Sequence, residues 1–189
     1  KKVESEVIEG AQENTKVINI SVEEKPTGEI ALGAGVGSEG GTVGFSVSEN
    51  NFLGKGVKLN TSLRLTDDTI RGAFTVNNPN FNYTNKSLRT TIESTKIDKM
   101  TDNGYETTKT GFSFGTGFEQ YENTFFRPSV STYFEDLTTN SKASENLKKQ
   151  SGNYFETKFS YNLDFDNRNQ KFQTSEGQRF VIAQGIPLI

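Results

Sequence analysis

The chain has 189 residues, a formal net charge of -3 with both signs interspersed, and neither cysteine nor histidine. That removes disulfides, thiolate or imidazole metal sites and Cys/His or Ser/His nucleophile dyads, and it offers no basic nucleic-acid surface. Only 31% of residues are AVILMFWYC and mean hydropathy is -0.65, yet there are 15 Phe and 6 Tyr, and no stretch nears the ~20 apolar residues of a membrane-spanning helix.

Residues 1–25 are more charged than the rest. Segments 3–7 and 17–22 read as two short strands around a polar turn, with Ile18, Ile20 and Val22 on one face. Glu23-Glu24-Lys25-Pro26-Thr27-Gly28 is a charged hinge closed by Pro and Gly. It divides the chain into 1–25 and 26–189.

Nine strands are predicted after the hinge. The first, 29–37, sets Ile30, Leu32, Ala34 and Val36 against the nearly side-chain-free Ala31, Gly33, Gly35 and Gly37. A Gly-rich turn at 38–41 leads to 42–49, where Val43, Phe45 and Val47 alternate with Gly44, Ser46 and Ser48. In 56–67, Val57, Leu59, Leu63 and Leu65 oppose Lys58, Asn60, Ser62 and Arg64. Segment 69–77 carries Ile70, Phe74 and Val76 outward, and 87–97 is the weakest pattern, apolar at Leu88 and Ile92.

In 105–118, Phe112, Phe114 and Phe118 stand opposite Ser113, Gly115 and Gly117. In 125–136, Phe126, Val130 and Phe134 stand opposite Arg127, Ser129, Ser131 and Tyr133. The clearest segment is 155–166, with Phe155, Thr157, Phe159, Tyr161, Leu163 and Phe165 on one side and polar residues on the other. Segment 177–184 is the last.

A period of two sustained this long is a strand with one apolar and one wet face. In a soluble sandwich the apolar face packs a core; in an outer-membrane barrel it meets lipid and the wet face lines the lumen. Few aliphatics with many aromatics, Gly, Ser, Thr and Asn fit the barrel. The barrel reading puts Phe45, Leu59, Phe74, Phe114, Val130, Phe159 and Leu163 outside, and Arg64, Ser113, Ser129 and Lys158 inside. Connections 52–56, 78–86 and 119–124 are compact and 137–152 is long and polar. That predicts short turns on one rim and longer loops on the other. Within the long connection, 142–150 reads as an exposed loop. Both chain ends read as cut, so the expectation is a fragment.

Three motifs have ordinary explanations. Gly35-Val36-Gly37-Ser38-Glu39-Gly40 matches the dinucleotide fingerprint, but a strand and not a helix comes after it, so a Gly-rich hairpin is the reading. Asp164-Phe165-Asp166-Asn167-Arg168 starts like a calcium loop, but Arg168 stands where an oxygen ligand belongs and the required Gly is missing, so a turn with an Asp–Arg contact is expected. Glu156 and Asp164 on the wet face read as solvated charge, with no other catalytic group beside them. Nothing here points to an enzyme, a cofactor or a metal.

Several segments together resemble the BamA family of outer-membrane assembly factors. Val22-Glu23-Glu24-Lys25-Pro26-Thr27-Gly28 resembles that family's junction between the last POTRA domain and the barrel. Leu32-Gly33-Ala34-Gly35-Val36-Gly37-Ser38-Glu39-Gly40-Gly41 resembles its first strand and hairpin. Ser48-Glu49-Asn50-Asn51-Phe52-Leu53-Gly54-Lys55-Gly56 and Asn77-Asn78-Pro79-Asn80-Phe81 resemble the next turns. Asp166-Asn167-Arg168, Thr174-Ser175-Glu176-Gly177 and Gly185-Ile186-Pro187-Leu188 resemble a later turn and strand. Order and spacing agree over essentially the whole chain.

The resemblance implies an all-β, antiparallel up-and-down transmembrane β-barrel, of which this chain holds about nine of sixteen strands. Residues 1–25 would be the periplasmic end of the last POTRA domain and 26–189 the N-terminal part of the barrel in the cell outer membrane. The implied partners are unfolded outer-membrane β-barrel clients, accessory lipoproteins of the assembly machinery and outer-membrane lipid. The implied task is to fold and insert those clients at a lateral gate, whose client-pairing edge would be Glu29, Ile30, Ala31, Leu32, Gly33, Ala34, Gly35, Val36 and Gly37. Gly33, Gly35 and Gly37 raise the entropy cost of ordering that strand and supply no cross-strand packing; the plainer account is relief of crowding inside a bent strand. A related transporter (TamA-like, two-partner secretion, or the mitochondrial sorting barrel), a passive porin-like channel and a soluble β-sandwich remain as alternatives.

Overall fold

In a computed structural model, which describes residues 2–12, 14–37 and 40–189, the alternation becomes strand after strand. Strands β1 (Lys2–Glu9) and β2 (Lys16–Glu23) pair antiparallel in a sheet of their own. The remaining strands are β3 (Gly28–Gly37), β4 (Gly40–Phe52), β5 (Val57–Thr66), β6 (Thr69–Asn78) and β7 (Ser87–Lys99). They continue as β8 (Tyr105–Tyr121), β9 (Thr124–Thr139), β10 (Gly152–Asp166) and β11 (Arg179–Pro187). These nine form one antiparallel sheet in which each strand pairs with the next in sequence, leaving β3 and β11 at its two edges. It is an up-and-down barrel wall that does not close on itself.

Directly opposed residues of an antiparallel ladder share a face. One face therefore carries the rows Leu32–Phe45–Leu63, Thr61–Phe74–Ile92–Phe112 and Phe114–Val130–Phe159–Ile186. Leu59 and Leu163 belong to this face through Val76 and Phe126. The other face carries Arg64–Arg71–Thr95–Lys109–Glu135 and Ser113–Ser131–Lys158, with Ser129 opposite Ser160. Each side chain expected outside or inside is on the expected face.

Among the described residues no second layer covers the apolar face. Among the described residues the buried hydrophobic side chain is Ala143, in a loop, while Phe45, Phe74, Phe114 and Val130 are exposed. A soluble sandwich would have enclosed them.

Four details depart from the sequence reading. The stretch 142–150 contains a short helix, α1 (Glu145–Lys149), because the Leu147 N–H donates to Ser144 Oγ at 3.3 Å as an N-cap and the charges complement the helix ends. The last strand starts at Arg179 and not at 177, because Gly177 has a φ of +86° and sits tight against the Asn167 backbone, inside the turn. The rims do not differ in loop length. Long connections 140–151 and 167–178 lie on opposite rims, each beside short ones. Asp164 is not solvated but only 8% exposed. The Gly-rich hairpin is bounded by the pair Gly37–Gly40, while Ser38 and Glu39 of the expected 38–41 turn lie outside the described residues.

Candidate functional site

The strand picked out by sequence, 29–37, is β3, an edge strand throughout. It pairs with β4 from Gly28–Glu49 to Gly37–Gly40, and no described strand lies along its other side. At the start of this ladder the Asn50 N–H donates to the Thr27 carbonyl at 3.2 Å, so Thr27–Asn50 is a hydrogen-bonded pair. Antiparallel ladders alternate such pairs with non-bonded ones. The main-chain groups of Glu29, Ala31, Gly33 and Gly35 therefore turn toward β4, and those of Ile30, Leu32, Ala34 and Val36 turn toward the open edge.

Side chains keep their own alternation. Ile30, Leu32 and Val36 project from the apolar face, Val36 at 93% exposure. On the polar face a Cβ added at Gly33, Gly35 or Gly37 would meet nothing within 4 Å. Crowding among the described residues thus does not account for these glycines. They leave a thin wall over a hollow of about 830 Å³ that reaches Arg64 and Arg71.

The polar face is concave. Side chains from β6 to β10, among them Arg71, Glu93, Lys109, Tyr133, Glu156 and Lys158, line one cavity of about 570 Å³. Lys109 Nζ lies 3.4 Å from Glu135 and 3.5 Å from Glu156, and 4.9 Å from the Tyr133 ring centre. The Tyr133 hydroxyl donates to Glu93 at 2.7 Å. This wall is polar, and Lys109 with Glu135 and Glu156, and Tyr133 with Glu93, pair within it.

A second cluster closes one end of the wall. Arg179 donates to Asp164 through Nε at 2.9 Å and a terminal nitrogen at 3.0 Å, and Arg127 approaches the same carboxylate at 3.4 Å. Arg168 grips Asp166 in the same forked way, at 2.8 and 2.9 Å, which is the Asp–Arg turn expected at 164–168. In the loop, the Asp166 carboxylate accepts these bonds and holds Arg168 above its ordinary range. Sequence reading finds the Asp166–Arg168 contact, whose partners are two residues apart, and misses the Arg127–Asp164–Arg179 clamp, whose partners meet only across strands.

Residues 51–188 match the family model described as the Omp85 superfamily domain. A search of curated proteins finds no match. Among solved structures, the chain is similar to BamA from Haemophilus ducreyi lacking POTRA domains 1-3, at TM-score 0.73 and 20% identity, covering 100% of this chain and 39% of that one. This chain is thus well under half as long as that one, and the likeness is one of fold.

Proposed function

The chain belongs to the Omp85 superfamily, and on that premise we propose that it is the N-terminal part of the barrel of a BamA-type assembly factor. In this reading residues 1–25 end a periplasmic POTRA domain and 26–189 are outer-membrane wall, about nine strands of a sixteen-stranded barrel. The protein folds and inserts other outer-membrane β-barrels, working with accessory lipoproteins, and β3 is the client-pairing side of a lateral gate.

The observation that carries the reading is the edge of β3. Its outward donors and acceptors at Ile30, Leu32, Ala34 and Val36 have no partner strand among the described residues. In hydrocarbon each unsatisfied backbone group costs several kcal/mol, so an opened edge favours accepting a strand. Glycine on alternate positions weakens whatever strand closes the seam, because it packs nothing across the ladder. A client strand then competes on backbone bonds alone, which suits clients of unrelated sequence.

Disulfide trapping in the full-length protein tests this. Single cysteines along 29–37 should capture a stalled client strand at every second position. A related secretion barrel would yield adducts only with cargo in transit, and a passive channel none.

A further inference from the structure

Two ladders of the sheet change register, and both do so at the same rim. Between β4 and β5, pairing runs to Glu49–Leu59 and resumes at Phe52–Val57. Between β8 and β9 it runs to Glu119–Phe125 and resumes at Tyr121–Thr124. Each step inserts one residue into the first strand, a β-bulge, and reverses the facing of the residues beyond it. Without the bulges, Asn51 would oppose Val57 and Gln120 would oppose Thr124 on the apolar face, and Phe52 and Tyr121 would turn into the lumen. At both places the bulge exchanges an amide for an aromatic ring on the outer wall.

Both bulges are held by local hydrogen bonds. The Asn51 N–H donates to Glu49 Oε1 at 2.7 Å, and the Gly56 N–H donates to Asn51 Oδ1 at 2.6 Å. The Asn123 N–H donates to Glu119 Oε1 at 2.9 Å. The rings are left uncovered, Tyr121 at 72% exposure.

The turns of this rim add Leu53, Phe81 and Tyr83, all exposed, and the lysines Lys55 and Lys86. Lys86 Nζ lies 5.4 Å from the centre of the Phe118 ring, which is on the apolar face. The pair Phe165–Phe180 continues the same face on β10 and β11. The opposite rim is different. Its connections 67–68, 100–104 and 140–151 contain no aromatic residue, and the outer face leading to it passes through the row Lys96–Thr108–Asp136–Asn153.

We propose that this rim is a built anchor for the lipid interface. Phe52 and Tyr121, flanked by Leu53, Phe81 and Tyr83, seat at the boundary between headgroups and acyl chains, and Lys55 and Lys86 reach lipid phosphate. The inference rests on the membrane reading of the wall and adds the depth and the side. Lipid is the occupant because the rings continue an apolar band that runs around the outer wall from β4 to β11, and because amphipathic rings and snorkelling lysines are the chemistry of that boundary. Since Gly28 enters β3 at this rim, opposite Glu49, the two-stranded N-terminal unit is on the anchored side. The outer ends of β7 to β10 project into water on the other.

The test uses the full-length protein in vesicles of phosphatidylcholine and phosphatidylglycerol, with a nitroxide label on single cysteines at Phe52, Tyr121, Asn51, Gln120, Phe45 and Phe114. Labels at Phe52 and Tyr121 should collide with oxygen more than with a water-soluble nickel chelate, at shallower depth than Phe45 and Phe114, and labels at Asn51 and Gln120 should show the reverse preference. Phe45 and Phe114 in lipid with Phe52 and Tyr121 in water would overturn the anchor and leave the membrane reading standing. All of them in water would overturn both. If a labelled variant does not insert, Phe52→Trp and Tyr121→Trp report the same depth by quenching with lipids brominated at known acyl positions.

Discussion

Tyr133 on β9 donates its hydroxyl to Glu93 on β7 at 2.7 Å, reaching across the whole of β8. The reach is possible because Gly111 lies between them. Glu93 is directly opposite Gly111, and Gly111 is directly opposite Tyr133. A Cβ at Gly111 would stand 2.4 Å from the Tyr133 ring and 2.2 Å from the Thr132 carbonyl oxygen. The glycine is a slot for the ring, and the bond ties alternate strands of the wall together.

Gly111→Ala therefore forces ring or backbone to move and is expected to cost about 1–3 kcal/mol, as overpacking does. Tyr133→Phe keeps the ring and loses the bond, for about 1 kcal/mol. Adding Tyr133→Ala to Gly111→Ala should rescue only in part, because the Thr132 carbonyl remains in the way. Urea unfolding of the protein in detergent micelles reads all three.

The alternation along β3 sorts prolines into two classes. Leu32→Pro and Ala34→Pro delete donors that face the open edge, so client insertion should fall while the barrel still folds. Ala31→Pro and Gly33→Pro delete donors to β4, so folding itself should suffer. Leu32→Ala and Val36→Ala should be mild, since the edge acts through its backbone. A barrel that folds and inserts clients equally well with proline at 32 and 34 would reduce β3 to plain wall.

The two faces should respond oppositely to charge. Phe114→Arg places a guanidinium on the apolar face near mid-wall and is expected to cost about 2–4 kcal/mol of folding in vesicles. Ser113→Arg, one residue away on the concave face, should be tolerated. Equal costs would contradict the lipid-facing assignment.

Asp164 holds Arg127 of β9 and Arg179 of β11 to β10. Asp164→Asn removes the shared anion and leaves two cations facing each other, so amide hydrogen exchange along 179–187 should speed up. Arg179→Lys should behave similarly, because an ammonium cannot reproduce the two-pronged contact. Arg168→Ala should loosen only the loop 167–178.

Much of the wall is legible in the sequence. The faces of Phe112, Phe114 and Phe118, or of Phe155 through Phe165, are set by the geometry of one strand considered alone, since successive side chains alternate whatever the neighbours do. The candidate edge strand is named through its resemblance to a family's first barrel strand, with which Gly33, Gly35 and Gly37 agree, and its place at an edge is seen only in the strand order. The strand start expected at 177 is too early because Gly177 lies in the turn at a φ of +86°, a conformation that the residue type permits but does not announce. The helix at Glu145–Lys149 escapes a sequence reading because its stretch has too few apolar positions to show a period.

What tertiary structure alone decided is everything that depends on register. Which donors of β3 face the open edge, why Gly111 must be glycine and how Asp164 comes to sit between two arginines all depend on pairing residues 15 to 40 apart in sequence. The outward turn of Phe52 and Tyr121 depends on a single residue inserted into each of two ladders. Alternation is a local property with a period of two, so the sequence alone determines that a strand has an apolar side and a wet side. Register is set by the ladder between strands, where a slip of one residue exchanges the sides.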